Sequence, residues 1–430
     1  MYPLFRTLGL VAALLAASEA PLADQTRSAL DLQQALDLAL QQDPGPASVR
    51  QEAEARQAEA IAAGEWDDPV LKLGAANVPV DSFAFDEQPM TQKVVGLRQL
   101  LPRGDSARLA RERGSLLANA GFASADDRVL QLARDVSREF LTLAEQLRTR
   151  ELLQDNRRWL EELVTYNRAR LASARIQSQQ LLQSQLAVTR LDDRIAAVEG
   201  RIITTRGRLA RWLGNAAWAP VETTPPRWPE LESWLEAQSL PVPPQQLAGH
   251  PALTAADAQV AAGERGVALA REAYKPRFGL EVQYGQRDTE DASDFAGAAV
   301  TFDLPLFTGK RQDQRLAAAR ARESAGILQR QELLQTLHAG LNAAAARATT
   351  LAERRQLYDR SLLDQAEETA DAVLRGYASN TADMEAVIAA RLDAIEAQIS
   401  AAQLDYGYFR ALAELRYYLA GGPDAAPAAK

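Results

Sequence analysis

Residues 278–286 read Phe-Gly-Leu-Glu-Val-Gln-Tyr-Gly-Gln, and the fold turns on this stretch. Phe278, Leu280, Val282 and Tyr284 alternate with Gly279, Glu281, Gln283 and Gly285, so one face is greasy and the other polar or small. A period of two with that contrast marks a half-buried strand. The alternation returns at Ala296, Ala298, Val300, Phe302 and Leu304, set against Gly297, Ala299, Thr301 and Asp303. Strands are therefore expected at 278–287 and 296–304, joined by a polar loop from Arg287 to Asp294. Each has about ten residues, the length of a tilted strand that spans a membrane. The apolar set Phe278, Leu280, Val282, Tyr284, Val300 and Phe302 is the expected lipid face. A small soluble hairpin is the plainer alternative.

Upstream the same arrangement is written more faintly, with strands expected at 70–78 and 92–100 around a loop holding Pro79, Asp81 and Asp86. The two hairpins sit in two copies of one unit. Asp43-Pro44 recurs as His250-Pro251, and Asp68-Pro69 recurs as Lys275-Pro276 at the same offset. Leu209-Ala-Arg-Trp-Leu-Gly214 is matched by Leu415-Arg-Tyr-Tyr-Leu-Ala-Gly421. Self-similarity at one spacing signals a duplicated architecture. The first repeat covers 30–214 and the second 243–421, with a Pro- and Trp-rich connector at 215–242. Its proline density forbids a continuous helix. Trp218, Trp228 and Trp234 are expected to pin it against helices rather than to bind a ligand.

Behind each hairpin runs a long proline-free segment, 105–172 and 310–378. Val129, Ala133, Val136, Phe140, Leu143 and Leu147 alternate spacings of four and three, as do Leu334, Leu337, Leu341, Ala344, Ala348 and Leu351. Those are coiled-coil seams, and at about 1.5 Å per residue each helix reaches on the order of 100 Å. The shorter helical stretches Leu32–Glu65 and Ile176–Leu213 are expected to stack end to end alongside. The fold class is mainly α with membrane β: a duplicated unit of long coiled-coil helices, plus four transmembrane strands per chain.

Four strands cannot close a barrel, since the smallest single-chain barrels have about eight. An open sheet in lipid leaves backbone groups unpaired at several kcal/mol each. Copies must therefore pool their strands. Two would give an interior filled by side chains and three would leave room for a passage; three is the favoured number.

Composition removes other classes. The 430 residues hold no Cys, two His and three Met. Disulfides, thiolate zinc sites and thiol nucleophiles are excluded, and an N-terminal lipidated Cys is not expected. A net charge of −9 argues against nucleic-acid binding. His250 stands where the first repeat has Asp43, just before proline, and reads as helix-start punctuation; His338 has no evident acid partner. No cofactor, resident metal or enzyme chemistry is expected. At the N-terminus, Arg6 precedes an apolar run from Leu8 to Ala17, which reads as a signal peptide over 1–23, cut after Ala20 or Ala23. The tail at 422–430 is expected to be disordered.

At several of these places the chain resembles the TolC-type outer membrane efflux proteins, over nearly everything from Leu30 to Gly421. Tyr274-Lys275-Pro276 enters a strand, and Leu304-Pro305-Leu306-Phe307-Thr308-Gly309-Lys310-Arg311 leaves one. Asn77-Val78-Pro79, Met90-Thr91-Gln92 and Gly96-Leu97-Arg98-Gln99 before Leu101-Pro102 resemble the branch that serves heavy-metal pumps. The resemblance implies a homotrimer with a 12-stranded β-barrel in outer membrane lipid, its long helices forming a periplasmic α-barrel, a helical tunnel extending into the periplasm. It also implies a periplasmic adaptor (membrane fusion) protein and an inner-membrane resistance-nodulation-division pump as partners. In that family the tunnel narrows at the periplasmic helix turns, at a Gly followed by a polar residue and an acid. Here Asn380, Asp383 and Ala386 fall on those places in one repeat, and Ala174, Gln177 and Gln180 in the other. Neither repeat keeps the glycine or the final acid. The gate candidates are Gln177, Gln180, Asn380, Asp383 and Glu385.

The expected function is a passive outer membrane exit duct of a tripartite efflux system, with heavy-metal cations as a candidate cargo. The alternatives are a periplasmic adaptor, which would carry one helical hairpin flanked by β domains, and a structural coiled coil without a pore.

Overall fold

The computed structural model describes residues 29–289 and 293–420. The expected signal peptide, the tail at 422–430 and the middle of the polar loop lie outside the described residues.

The first half of the chain runs α1 (Leu32–Gln42), α2 (Pro44–Ala63), β1 (Val70–Ala76), β2 (Gln92–Leu100), α3 (Ser106–Ala172) and α4 (Ser178–Leu213). The second runs α5 (Pro229–Ala237), α6 (Pro251–Glu272), β3 (Phe278–Gln286), β4 (Phe295–Phe302), α7 (Gln312–Leu357), α8 (Leu363–Ala378) and α9 (Met384–Tyr418). No helix among the described residues is long and apolar enough to cross a membrane.

Local chemistry explains the breaks. The stretch expected as one helix from Leu32 to Glu65 is two, because Pro44 lacks the N–H that would continue α1. Asp43 ends α1 and caps α2, its carboxylate accepting the Gly45 N–H at 2.7 Å. His250 does the same work for α6, its Nδ1 accepting the Ala252 N–H at 3.2 Å. The first strand stops at Ala76 because Asn77 turns to φ 56°, with its amide donating to the Met90 carbonyl at 3.1 Å.

The long second helix expected over 310–378 is interrupted by a π-turn at Tyr358–Leu362. Carried forward in alternating steps of four and three from Leu351, the seam would fall on Thr369, Ala372 and Gly376. Thr369 and Ala372 are exposed, whereas Ala370 and Tyr377 are buried and Val373 packs on the core. The buried row has thus slipped by one residue, and the extra residue of the π-turn absorbs the slip.

Helices pack side by side in the order α2, α3, α6, α7 near the sheet, and α4, α3, α9, α8 farther from it. The α3 core row is Leu132, Val136, Phe140 and Leu143, facing a continuous apolar interior. Backbones approach closely where α2 crosses α3: a Cβ on Gly114 would stand 2.5 Å from Ala60 Cβ, and one on Gly121 2.8 Å from Ala53 Cβ.

In the connector, Trp228 is buried edge-on against Phe409 with ring centroids 6.0 Å apart. Trp234 packs on the core, while Trp218 stays exposed and pins nothing. His338 meets a backbone group rather than an acid: its Nε2 lies 2.8 Å from the Val242 carbonyl, and Asn342 Oδ1 accepts the Val242 N–H at 2.7 Å.

Candidate functional site: an amphipathic sheet and a helical tip

The four strands form one antiparallel sheet in the order β1-β2-β3-β4, so the two repeats meet along β2 and β3. The register decides the faces, because residues directly opposite each other share a side. Phe278 pairs with Phe302, Leu280 with Val300 and Val282 with Ala298; across the other seam Leu97 pairs with Val282 and Val95 with Tyr284. Leu71 and Leu73 of β1 lie opposite Leu97 and Val95. All six residues expected on the lipid side therefore share one face, and each is exposed in the single chain.

The opposite face carries Lys72, Arg98, Glu281, Gln283 and Thr301 among glycines. Lys72 and Glu281 pair at 3.2 Å across the two repeats. Where the strands meet the helices, Arg277 pairs with Asp67 and Arg103 with Asp303, again joining one repeat to the other. Both outer strands, β1 and β4, leave an edge without a partner strand among the described residues.

At the far end, α3 turns into α4 and α8 into α9. Ala174 and Asn380, at the places of the missing glycines, both take left-handed backbone, φ 57° and 59°. Asp383 is the N-cap of α9, accepting the Ala386 N–H at 2.7 Å, and Glu385 sits in its first turn. Gln177 is the N-cap position of α4 without a side-chain bond, and its carbonyl accepts the Gln180 N–H at 3.1 Å.

Only Asn380 among the gate candidates is drawn to the other turn, where its Oδ1 accepts Arg170 Nη2 at 3.0 Å. Arg170 also lies over the Tyr377 ring at 4.9 Å and the Tyr166 ring at 5.7 Å. Beneath it the Tyr377 hydroxyl donates to Asn167 Oδ1, and the Asn167 amide reaches Met384 Sδ at 3.6 Å. Burial pushes the Tyr377 hydroxyl up in pKa against the pull of Arg170. Arg170, Asn167 and Tyr377 were missed in the sequence. Their signal was a polar residue on a seam: Leu153, Asn156, Leu160, Leu163 and Asn167 step by three and four.

This geometry is shared with known proteins. Residues 242–421 match the family model described as outer membrane efflux protein. The pyoverdine export outer membrane protein OpmQ of Pseudomonas putida is 26% identical over 74% of this chain and 65% of its own length. Protein CyaE of Bordetella pertussis is 32% identical over 42% of this chain and 38% of its own. The matches thus span less than two thirds of either relative. Among solved structures, a membrane protein from Pseudomonas aeruginosa superposes with a TM-score of 0.77 at 18% identity, covering 92% of this chain and 91% of that one. The outer membrane protein VceC of Vibrio cholerae gives 0.76 at 17% identity, covering 91% and 96%. The chain has the fold of the TolC-type trimeric outer membrane channels, a helical barrel continued by a β-barrel. The part that matches the outer membrane efflux protein model is the second repeat.

Proposed function

We propose that the chain is the outer membrane exit duct of a tripartite efflux system. Three copies join β1 of one to β4 of the next in a 12-stranded barrel, and their helices continue as a tunnel through the periplasm. The observation that carries this reading is the four-stranded sheet with one apolar face and two unpaired edges. In lipid each edge must find a strand, and the apolar face must find acyl chains. A soluble adaptor or a poreless coiled coil would leave both requirements without purpose.

In this reading Phe278, Leu280, Val282, Tyr284, Val300 and Phe302 face outer membrane lipid. The turns bearing Gln177, Gln180, Asn380, Asp383 and Glu385 form the periplasmic mouth, where a periplasmic adaptor and a resistance-nodulation-division pump dock. Heavy-metal cations stand as a cargo on the motif resemblance alone. No group of three or more His, Asp or Glu is arranged to hold a metal ion among the described residues.

Crosslinking of the full chain in mild detergent, with conductance in planar bilayers, tests the reading. Trimers that open steady pores support it. Monomers without conductance overturn it.

A further inference from the structure

Midway along the helices lies a groove of about 420 Å³ whose charge departs from the rest of the chain. Arg138 of α3, Arg347 and Arg354 of α7, and Arg410 of α9 line it, with Glu414 as the only acid on the lining. Glu414 is shared, meeting Arg138 at 3.6 Å and Arg347 at 3.3 Å. Arg410 is held by Glu145 of α3. Arg354 has no carboxylate partner among the described residues. Four cations against two acids leave a positive surplus in a protein whose net charge is −9.

The groove lies on the opposite side of α9 from the connector. Phe409 meets Trp228 of the connector, whereas the lining residues Gly407 and Ala411 lie about 200° around the helix from Phe409. In a closed tube the connectors belong on the outer wall, because three of them would fill the bore. The groove then opens inward.

The geometry points to an anion-binding station on the inner wall of the duct, selecting multiply charged organic anions such as polycarboxylates over bare divalent cations. Three copies place a ring of such grooves at one level of the bore. Guanidinium groups suit carboxylates because their planar fork can donate two parallel N–H bonds. Arg354 is unpaired and Arg347 shares its acid, so both can engage a ligand without breaking a private ion pair. A field of one sign inside a low-dielectric wall concentrates ions of the opposite sign and repels a free metal cation. The inference rests on the duct reading and sets multiply charged organic anions, in place of the heavy-metal cations of the motif resemblance, as its cargo.

The test is conductance of the full chain in planar bilayers, with citrate as the probe. The expected result is that citrate blocks the wild-type current and that Arg347→Ala/Arg354→Ala needs at least about tenfold more, equivalent to about 1.4 kcal/mol. Equal block in both proteins overturns the station while leaving the duct intact. Arg354→Cys places a single thiol in a chain without cysteine, and an anionic methanethiosulfonate should then lower its conductance. Labelling without any change in current overturns the inward placement. Absence of pores from wild type overturns the duct itself and the station with it.

Discussion

The hydroxyl of Tyr377 on α8 donates to the side-chain oxygen of Asn167 on α3 at 3.1 Å, with Tyr377 only 3% and Asn167 0% exposed. One contact thus ties the last turn of the first long helix to the last turn of the second. Two polar groups in an apolar seam are tolerated because each satisfies the other, and removal of one leaves its partner buried and unpaired. Tyr377→Phe should therefore cost about 1–3 kcal/mol. Asn167→Leu alone should cost a similar amount, and the double variant less than the sum, since the orphaned group is then gone. Denaturant unfolding of the four proteins measures the coupling, and strict additivity would mean that the bond contributes nothing.

Left-handed backbone at Ala174 carries a steric cost that asparagine or glycine largely avoids. Ala174→Gly should stabilise the α3–α4 turn by roughly 0.5–1 kcal/mol, the relief of a left-handed Cβ less the added freedom of the unfolded chain. Asn380→Ala should act in the opposite sense, because it adds strain and removes the acceptor of Arg170. Slower or faster amide exchange around the two turns reports the sign.

Where α2 crosses α3, space is the limit. Gly114→Ala would put a methyl 2.5 Å from Ala60 Cβ, forcing two helix backbones apart. A loss of about 1–3 kcal/mol is expected, read as a lower thermal midpoint. Gly200→Ala on α4, where no atom lies within 4 Å, should be neutral or slightly stabilising.

Much of the fold was legible because it depends on patterns that the chain must repeat to work. Alternation at Phe278–Tyr284 placed a strand and its apolar face, since a slip of one residue would turn every side chain over. Seam spacing at Val136, Phe140 and Leu143 placed the long helix. What escaped reading depends on contacts between distant segments. The π-turn at Tyr358–Leu362 has no local marker in the sequence; it lies where the buried row of the helix shifts by one residue and α8 begins to pack on α9. The pairing of β2 with β3 joins residues nearly two hundred positions apart, and their sequences carry no instruction to meet. Asn167 lies on a buried row of α3, and a polar residue on such a row is itself a signal. The arginine groove is invisible in sequence, because its four guanidiniums come from three helices.

His250 makes stability depend on pH. It is fully buried, its ring lies edge-on to Tyr417 at 4.9 Å, and Asp127 holds the Tyr417 hydroxyl at 3.1 Å. Burial lowers its pKa below the ordinary histidine value of 6.5, outweighing the opposing pull of Asp127. Well above pH 6.5 the ring is neutral in the folded and unfolded chain alike, and its contribution is complete. As pH falls through that value the unfolded chain takes up a proton that the folded chain resists, so stability declines. Protonation would also remove the lone pair that accepts the Ala252 N–H. His250→Asn keeps a helix cap and removes the titration, so its thermal midpoint should change less than wild type between pH 7.5 and about 5. Parallel curves would show that another group governs the acid side.

The facing of the sheet gives the sharpest contrast. Val282 lies opposite Ala298 on β4 and Leu97 on β2, in the middle of the apolar face, and Phe302 lies opposite Phe278 at the end nearer the helices. Gln283, one residue from Val282, points to the other side, between Gly96 and Gly297. A cation near mid-membrane costs about 2–4 kcal/mol on a lipid face and much less near the interfaces or in a wet interior. Val282→Arg should therefore sharply reduce heat-resistant trimers in outer membrane fractions, and Phe302→Arg should reduce them less. Gln283→Arg has glycine neighbours that leave its side chain room, and trimer yield should match wild type. Assembly lost at Gln283 and kept at Val282 would mean that the apolar face lines the bore, which would reverse the barrel.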